Sequence, residues 1–308
     1  MIEANEISSI AKVEQREEQY FHDQADNVLY YSALSTLWDG FSALYPLIGG
    51  VRTFLEATHF LFNAEFKGVA LGEARQKFVN QVEGLSEQQV EKREAFFKMV
   101  EELYQEIPEG NRPFISLTTP AVSTAHYNFA SNTISVSEED VDTLDTNVMK
   151  FAVARELFHS LNHSERDEWI NKGAQSLSVT GLGIVGNLLG ISVFSVLAAV
   201  VVGSVADAVI RNARYTNEFA ADKYAVEMTK SAAGAKQFFV YEMEKYSKEY
   251  RKCLDEGFTE EQAFRLGSAR AAFLPWIPSY LDRLNEAQKV EASLQEREVE
   301  WTQHKIAV

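Results

Sequence analysis

Residues 152–163 read AVARELFHSLNH. Alanine, leucine and arginine favour a helix here, and Asp145 or Thr146 upstream offers the cap that would start it. Glu156 and His159 stand three apart, on one face of that helix. They reproduce the end of H-E-x-x-H, a pattern that sets two imidazoles one turn apart beside a carboxylate. Where the first imidazole belongs, the chain has Arg155. The match carries little alone, because E-x-x-H arises by chance in ordinary composition, and Glu56-Ala57-Thr58-His59 repeats the spacing. The surrounding chain decides its meaning.

Upstream, FISLTT at 114–119 and AHYNFASNTISVS at 125–137 form the one convincing strand region, with Ser131-Asn132 suited to a turn. Ser86 and Gln89 make a capping box for a helix that stops near Pro108. Residues 5–33 are polar and helix-compatible. Residues 34–65 are richer in aromatics but carry Asp39, Arg52 and Glu56, which predicts a buried helical pair. Downstream, residues 212–230, 232–256, 259–271 and 279–305 read as helices, and Thr259 with Gln262 repeats the capping box. The pattern predicts a mainly α protein with a small β-sheet (α+β). It divides near residue 108 into a helical N-terminal region, 1–108, and a domain, 109–308, with an apolar helical insertion at 173–210.

A second motif follows the first. ARYTNEFAADKYAVE places Glu218 and Asp222 one turn apart on a helix-forming background. With these residues on the page the chain resembles the zincin metalloendopeptidases of the HtpX and CAAX prenyl protease type, whose E-x-x-A-D signature is similar to Glu218-Phe219-Ala220-Ala221-Asp222. Asn128-Phe129-Ala130 before TISVS resembles the family's hairpin ahead of the zinc helix, and Ile277-Pro278-Ser279 with Arg283 its later His-Pro-Ser…Arg element. The likeness covers about residues 112–290 in the same order. It implies a zincin-like core in which His159 and Glu218 are zinc ligands, Glu156 is the general base and Asp222 orients a histidine, with Asn128 and Arg283 beside the cleft.

The departures bear on the chemistry. Arg155 cannot ligate, because its guanidinium keeps its proton and offers no lone pair, and Ile277 stands where the family has a histidine. The resemblance therefore implies zinc if the protein is active and no cofactor if Arg155 takes the metal's place, paired with Asp222, Glu218 or both. His163, four residues after His159, opens an alternative ligand set of His159, His163 and Glu218. Three functions follow. The first is a degenerate metallopeptidase-like protein that binds protein or peptide in the former substrate cleft. The second is an active zinc endopeptidase with unorthodox ligands, and the third a non-enzymatic helical interaction module.

The 308 residues are 46% apolar and 24% charged, enough for a sizeable core, and the formal charge of −16 argues against a nucleic-acid surface. The single cysteine, Cys253, excludes an internal disulfide. The first residues, MIEANEISSIAKVEQREEQ, lack the order of a signal peptide, so the expectation is a cytoplasmic protein, or one delivered without a classical signal. From Gly173 to Ala206 no residue is charged. If the two motifs meet in one site, as the resemblance implies, both ends of this stretch lie on one side of any membrane. A buried or half-buried helical hairpin is expected, with Gly181, Gly183, Gly186 and Gly190 permitting close packing or a turn; the alternative is peripheral membrane contact through 177–206.

Overall fold

A computed structural model describes residues 2–51, 54, 68–80, 84–118, 123–162, 164–271 and 278–306. The chain is mostly helical with one three-stranded mixed sheet. It divides into two compact units that alternate along the sequence: unit one is Met1–Phe62, Arg166–Thr216 and Met243–Leu281, and unit two is Asn63–Glu165, Asn217–Glu242 and Asp282–Val308.

Unit two contains the sheet. Strands β1 (Phe114–Thr118), β2 (Ala125–Asn128) and β3 (Thr133–Ser137) lie in the order β1-β3-β2, with β1 parallel and β2 antiparallel to β3. Asn132 takes φ +49 in the tight β2–β3 connection, a conformation asparagine tolerates. Helices α2 (Leu71–Asn80) and α3 (Glu87–Gln105) precede the sheet. The Ser86/Gln89 capping box starts α3, which brings Phe96, Phe97, Val100 and Leu103 to the core. A short helix α4 (Glu138–Thr143) leads to α5 (Thr146–Asn162), the helix of the first motif. The Asp145 carboxylate accepts from the Asn147 N–H at 2.8 Å, satisfying one open donor of the first turn. α5 packs on β2 and β3 with Val153, Ala154 and Leu157 fully buried.

Unit one begins with α1 (Ile2–Leu44). α6 (Ser164–Leu188) and α7 (Ser192–Thr229) form a helical hairpin about Gly190, which takes φ +70. Only the last turns of α7, from Asn217, belong to unit two. Of the helices that follow, α8 (Ala233–Tyr246) belongs to unit two up to Glu242, α9 (Glu249–Asp255) and α10 (Glu260–Ala271) to unit one, and α11 (Tyr280–Ile306) to unit two from Asp282. Within unit one, Val13 of α1 packs with Cys253, Ala263 and Leu266. The Tyr20 hydroxyl reaches Glu249 at 2.6 Å and Arg16 reaches Glu256 at 2.5 Å.

Three expectations change. The helix expected over 232–256 is two helices, because Lys248 turns left-handed at φ +52 and the Ser247 hydroxyl accepts from the Glu249 N–H at 3.3 Å, capping a new start. Residues 34–44 form no buried pair: they continue α1, which meets no proline before Pro46, and Leu37 and Phe41 are exposed. Residues 52, 53 and 55–67, including the Glu56/His59 decoy, lie outside the described residues. The apolar hairpin does form, but most of its large side chains face outward, Val179 excepted, while Ser195, Ala199 and Gly203 face inward.

Candidate functional site

Unit two brings the first and second motifs together. α5 presents Arg155, Glu156 and His159, the end of α7 presents Glu218 and Asp222, and α11 presents Arg283. The Arg155 Nε donates to Asp222 Oδ1 at 2.7 Å, and its Nη2 to Glu218 Oε2 at 2.5 Å. Arg283 takes the other side: Nε donates to Asp222 Oδ2 at 2.7 Å and Nη2 to Oδ1 at 2.9 Å, a bidentate grip, with Glu218 Oε2 3.2 Å away. Two guanidinium groups thus face two carboxylates.

Burial sets the stakes. Asp222 is 0% exposed, Arg283 3% and Arg155 7%. An uncompensated carboxylate at that depth is costly, and charge-assisted hydrogen bonds from two planar forks offset the cost. α8 closes the arrangement with two consecutive aromatics. Arg155 lies over the Phe238 ring at 5.3 Å and Arg283 over the Phe239 ring at 4.8 Å. Each cation gains a quadrupole contact while it is desolvated.

Glu156, expected as the base, is anchored to the sheet. Its Oε2 accepts from the Tyr127 backbone N–H at 2.8 Å, and its Oε1 lies 3.9 Å from Arg155 Nη1. The His159 Nε2 is 4.0 Å from Glu218 Oε1. Asn128 serves the hairpin: its Oδ1 accepts from Ala130 N at 2.9 Å and Ser131 N at 3.3 Å. His163 and Ile277 lie outside the described residues. The Tyr127 N–H and the Phe238/Phe239 pair were not read from the sequence. A backbone donor leaves no letter to read, whereas Phe-Phe on a helix beyond the second motif is a visible signal.

These residues do not fit a zinc ion. Zinc needs three deprotonated ligands converging at about 2.0–2.2 Å, with a fourth position open. Here Glu218 Oε2, one of the expected ligand atoms, is engaged by two guanidinium groups. Among the described residues no three His, Cys, Asp or Glu side chains form a group able to hold a metal. What the arrangement can do is hold α5, α7 and α11 together through one buried charge balance, with Glu156 tying the sheet to α5. Compared with known protein-family models, curated proteins and solved structures, the chain matches none.

Proposed function

We propose that this protein is a pseudopeptidase: a zincin-like, metallopeptidase-type scaffold in which Arg155 substitutes for the metal and the former substrate cleft binds a protein or peptide segment without cutting it. The observation that carries the reading is Arg155 donating to both Asp222 and Glu218, the acids to which the resemblance gives the roles of orienting a histidine and of holding the metal. The permanent +1 charge of Arg155, together with that of Arg283, offsets the acids as a divalent ion would but supplies neither a bound water nor a Lewis acid. The engagement of Glu156 by Tyr127 N supports the same conclusion, since a base held in a structural hydrogen bond has its acceptor oxygen committed. Peripheral membrane contact through 177–206 belongs to this proposal.

Metal content tests it. Protein prepared without chelator should hold no stoichiometric zinc, and the Arg155→His form should gain about one ion per chain. The competing reading, an active endopeptidase, draws support from the approach of His159 to Glu218. It requires zinc in the unaltered chain and loss of proteolysis on Glu156→Gln, and that pair of results would replace the pseudopeptidase reading.

A further inference from the structure

The other unit carries an independent feature. Among the described residues, α7 is a helix long and apolar enough to cross a membrane, yet only 22% of its most apolar 18 residues are buried. A core helix of a water-soluble protein would be mostly enclosed. Along α7, Val193, Leu197, Val201, Val205 and Val209 repeat every four residues and are each 59–72% exposed. That stripe runs about 24 Å along the axis. The opposite stripe, Ser195, Ala199 and Gly203, is buried.

The interior combines small and polar residues with a modest apolar cluster of Ala43, Val179 and Ala199, against which Leu182 and Val196 pack, while the exterior is large and apolar. A side chain at Gly183 would meet the Ala43 backbone oxygen at 2.3 Å, so α1 and α6 pack in close contact. Asp39, Ser42, Gln175 and Ser176 are at most 4% exposed, and the Gln175 amide donates to the Gly203 carbonyl at 3.0 Å. In water this sorting is inverted; in lipid it is the expected one, because small residues allow helices to approach and polar groups turn to the bundle interior.

The two ends of the hairpin differ. At its base, Lys172 pairs with Glu168 at 2.7 Å and Arg211 with Asp207 at 3.0 Å, and the Ser35 hydroxyl of α1 donates to Asp207 at 2.7 Å. At its tip, Leu188 is 81% and Phe194 71% exposed, with no charge nearby in sequence. Part of the tip backbone is closed internally: Leu189 N donates to Val185 O, Gly190 N to Asn187 O and Ile191 N to Gly186 O. Such closure about a left-handed glycine is ordinary at a helix C-terminus in water and is required in hydrocarbon. A protein partner would call for a polar rim around the contact, whereas the polar side chains of this tip turn to each other, the Ser192 hydroxyl donating to Asn187 Oδ1 at 3.0 Å.

We infer that the α6–α7 hairpin, with the last turns of α1 beside it, inserts tip first into the acyl interior of a bilayer and leaves by the side it entered. The Glu168, Lys172, Asp207 and Arg211 ring stays at headgroup level. From residue 173 to 189 the arm reaches about 25 Å, short of the roughly 30 Å hydrocarbon thickness, so the wedge does not emerge opposite. This exceeds peripheral contact, includes α1, and rests on unit one alone.

The test is flotation of the full chain with uncharged phosphatidylcholine vesicles, formed by removing detergent in its presence. The expected result is co-flotation at low and high salt alike, with partition falling at least about tenfold when Val193→Asp and Phe194→Asp are combined. Depth is read separately in a Cys253→Ser background. A fluorophore on Leu188→Cys should be quenched by bromines deep in the acyl chains, and one on Ile170→Cys only by shallow ones. A monodisperse soluble chain that ignores vesicles overturns the inference, as do salt-reversible binding, a stable dimer that shields the stripe, or equal quenching at both labels. Arg155→His should leave flotation unchanged, so failure here is separable from failure of the pseudopeptidase reading.

Discussion

Asp222 accepts three hydrogen bonds from two arginines at 0% exposure, so its removal is the most damaging single change in the site. Asp222→Asn leaves two buried guanidinium groups undercompensated and should cost about 3–5 kcal/mol in denaturant unfolding. Glu218→Gln, at the more exposed end of the pair, should cost about 1–3 kcal/mol. Equal losses would contradict the charge balance. Glu218 and Asp222 were legible as one helix face from their spacing, and their meeting with Arg155 only through the resemblance that puts all three at one site. Arg283 was legible only through its place in the resemblance, and the Tyr127 N–H that holds Glu156 was not legible at all.

Helices α3 and α4 are pinned by Asp142, which receives Arg93 Nε and Nη2 at 2.8 Å each and the Gln89 amide at 3.1 Å. Burial pushes this carboxyl up, but the hydrogen bonds from Arg93 and Gln89 and the Arg93 charge outweigh it and leave it below the ordinary value. Its contribution to stability is therefore complete above the unfolded carboxyl's value of about 3.9, and fades as pH falls through the lower folded one. Arg93→Met should lower stability near neutrality and flatten its decline in that acid window; an unchanged acid limb would discount the pair. In unit one, Gly183→Val should force α1 away from α6, lowering the thermal midpoint by several degrees, while Gly72→Ala in unit two, with open space around it, should not. Both capping boxes and the hairpin were legible from local chemistry. The direction of its apolar side chains was not, since hydropathy scores a core helix and a lipid-facing one alike.

For the whole chain, the mainly helical class with a small sheet followed from periodicity. The alternation of two units did not, because each is assembled from three separated segments and no linker composition marks the crossings. The lone cysteine gives unit one its own gauge. Cys253 is 0% exposed, with Arg16 Nη1 at 3.5 Å and Glu249 Oε1 at 3.7 Å from its sulfur. Burial first, and then the Glu249 charge, raise the thiol above its usual range and keep it protonated. Alkylation in native buffer should therefore be slow and should accelerate with Arg16→Ala; a rate matching a free thiol would mean that α1 does not cover it. With no second sulfhydryl to compete, the time course of a maleimide becomes a stopwatch on how often the N-terminal helix lifts from its bed.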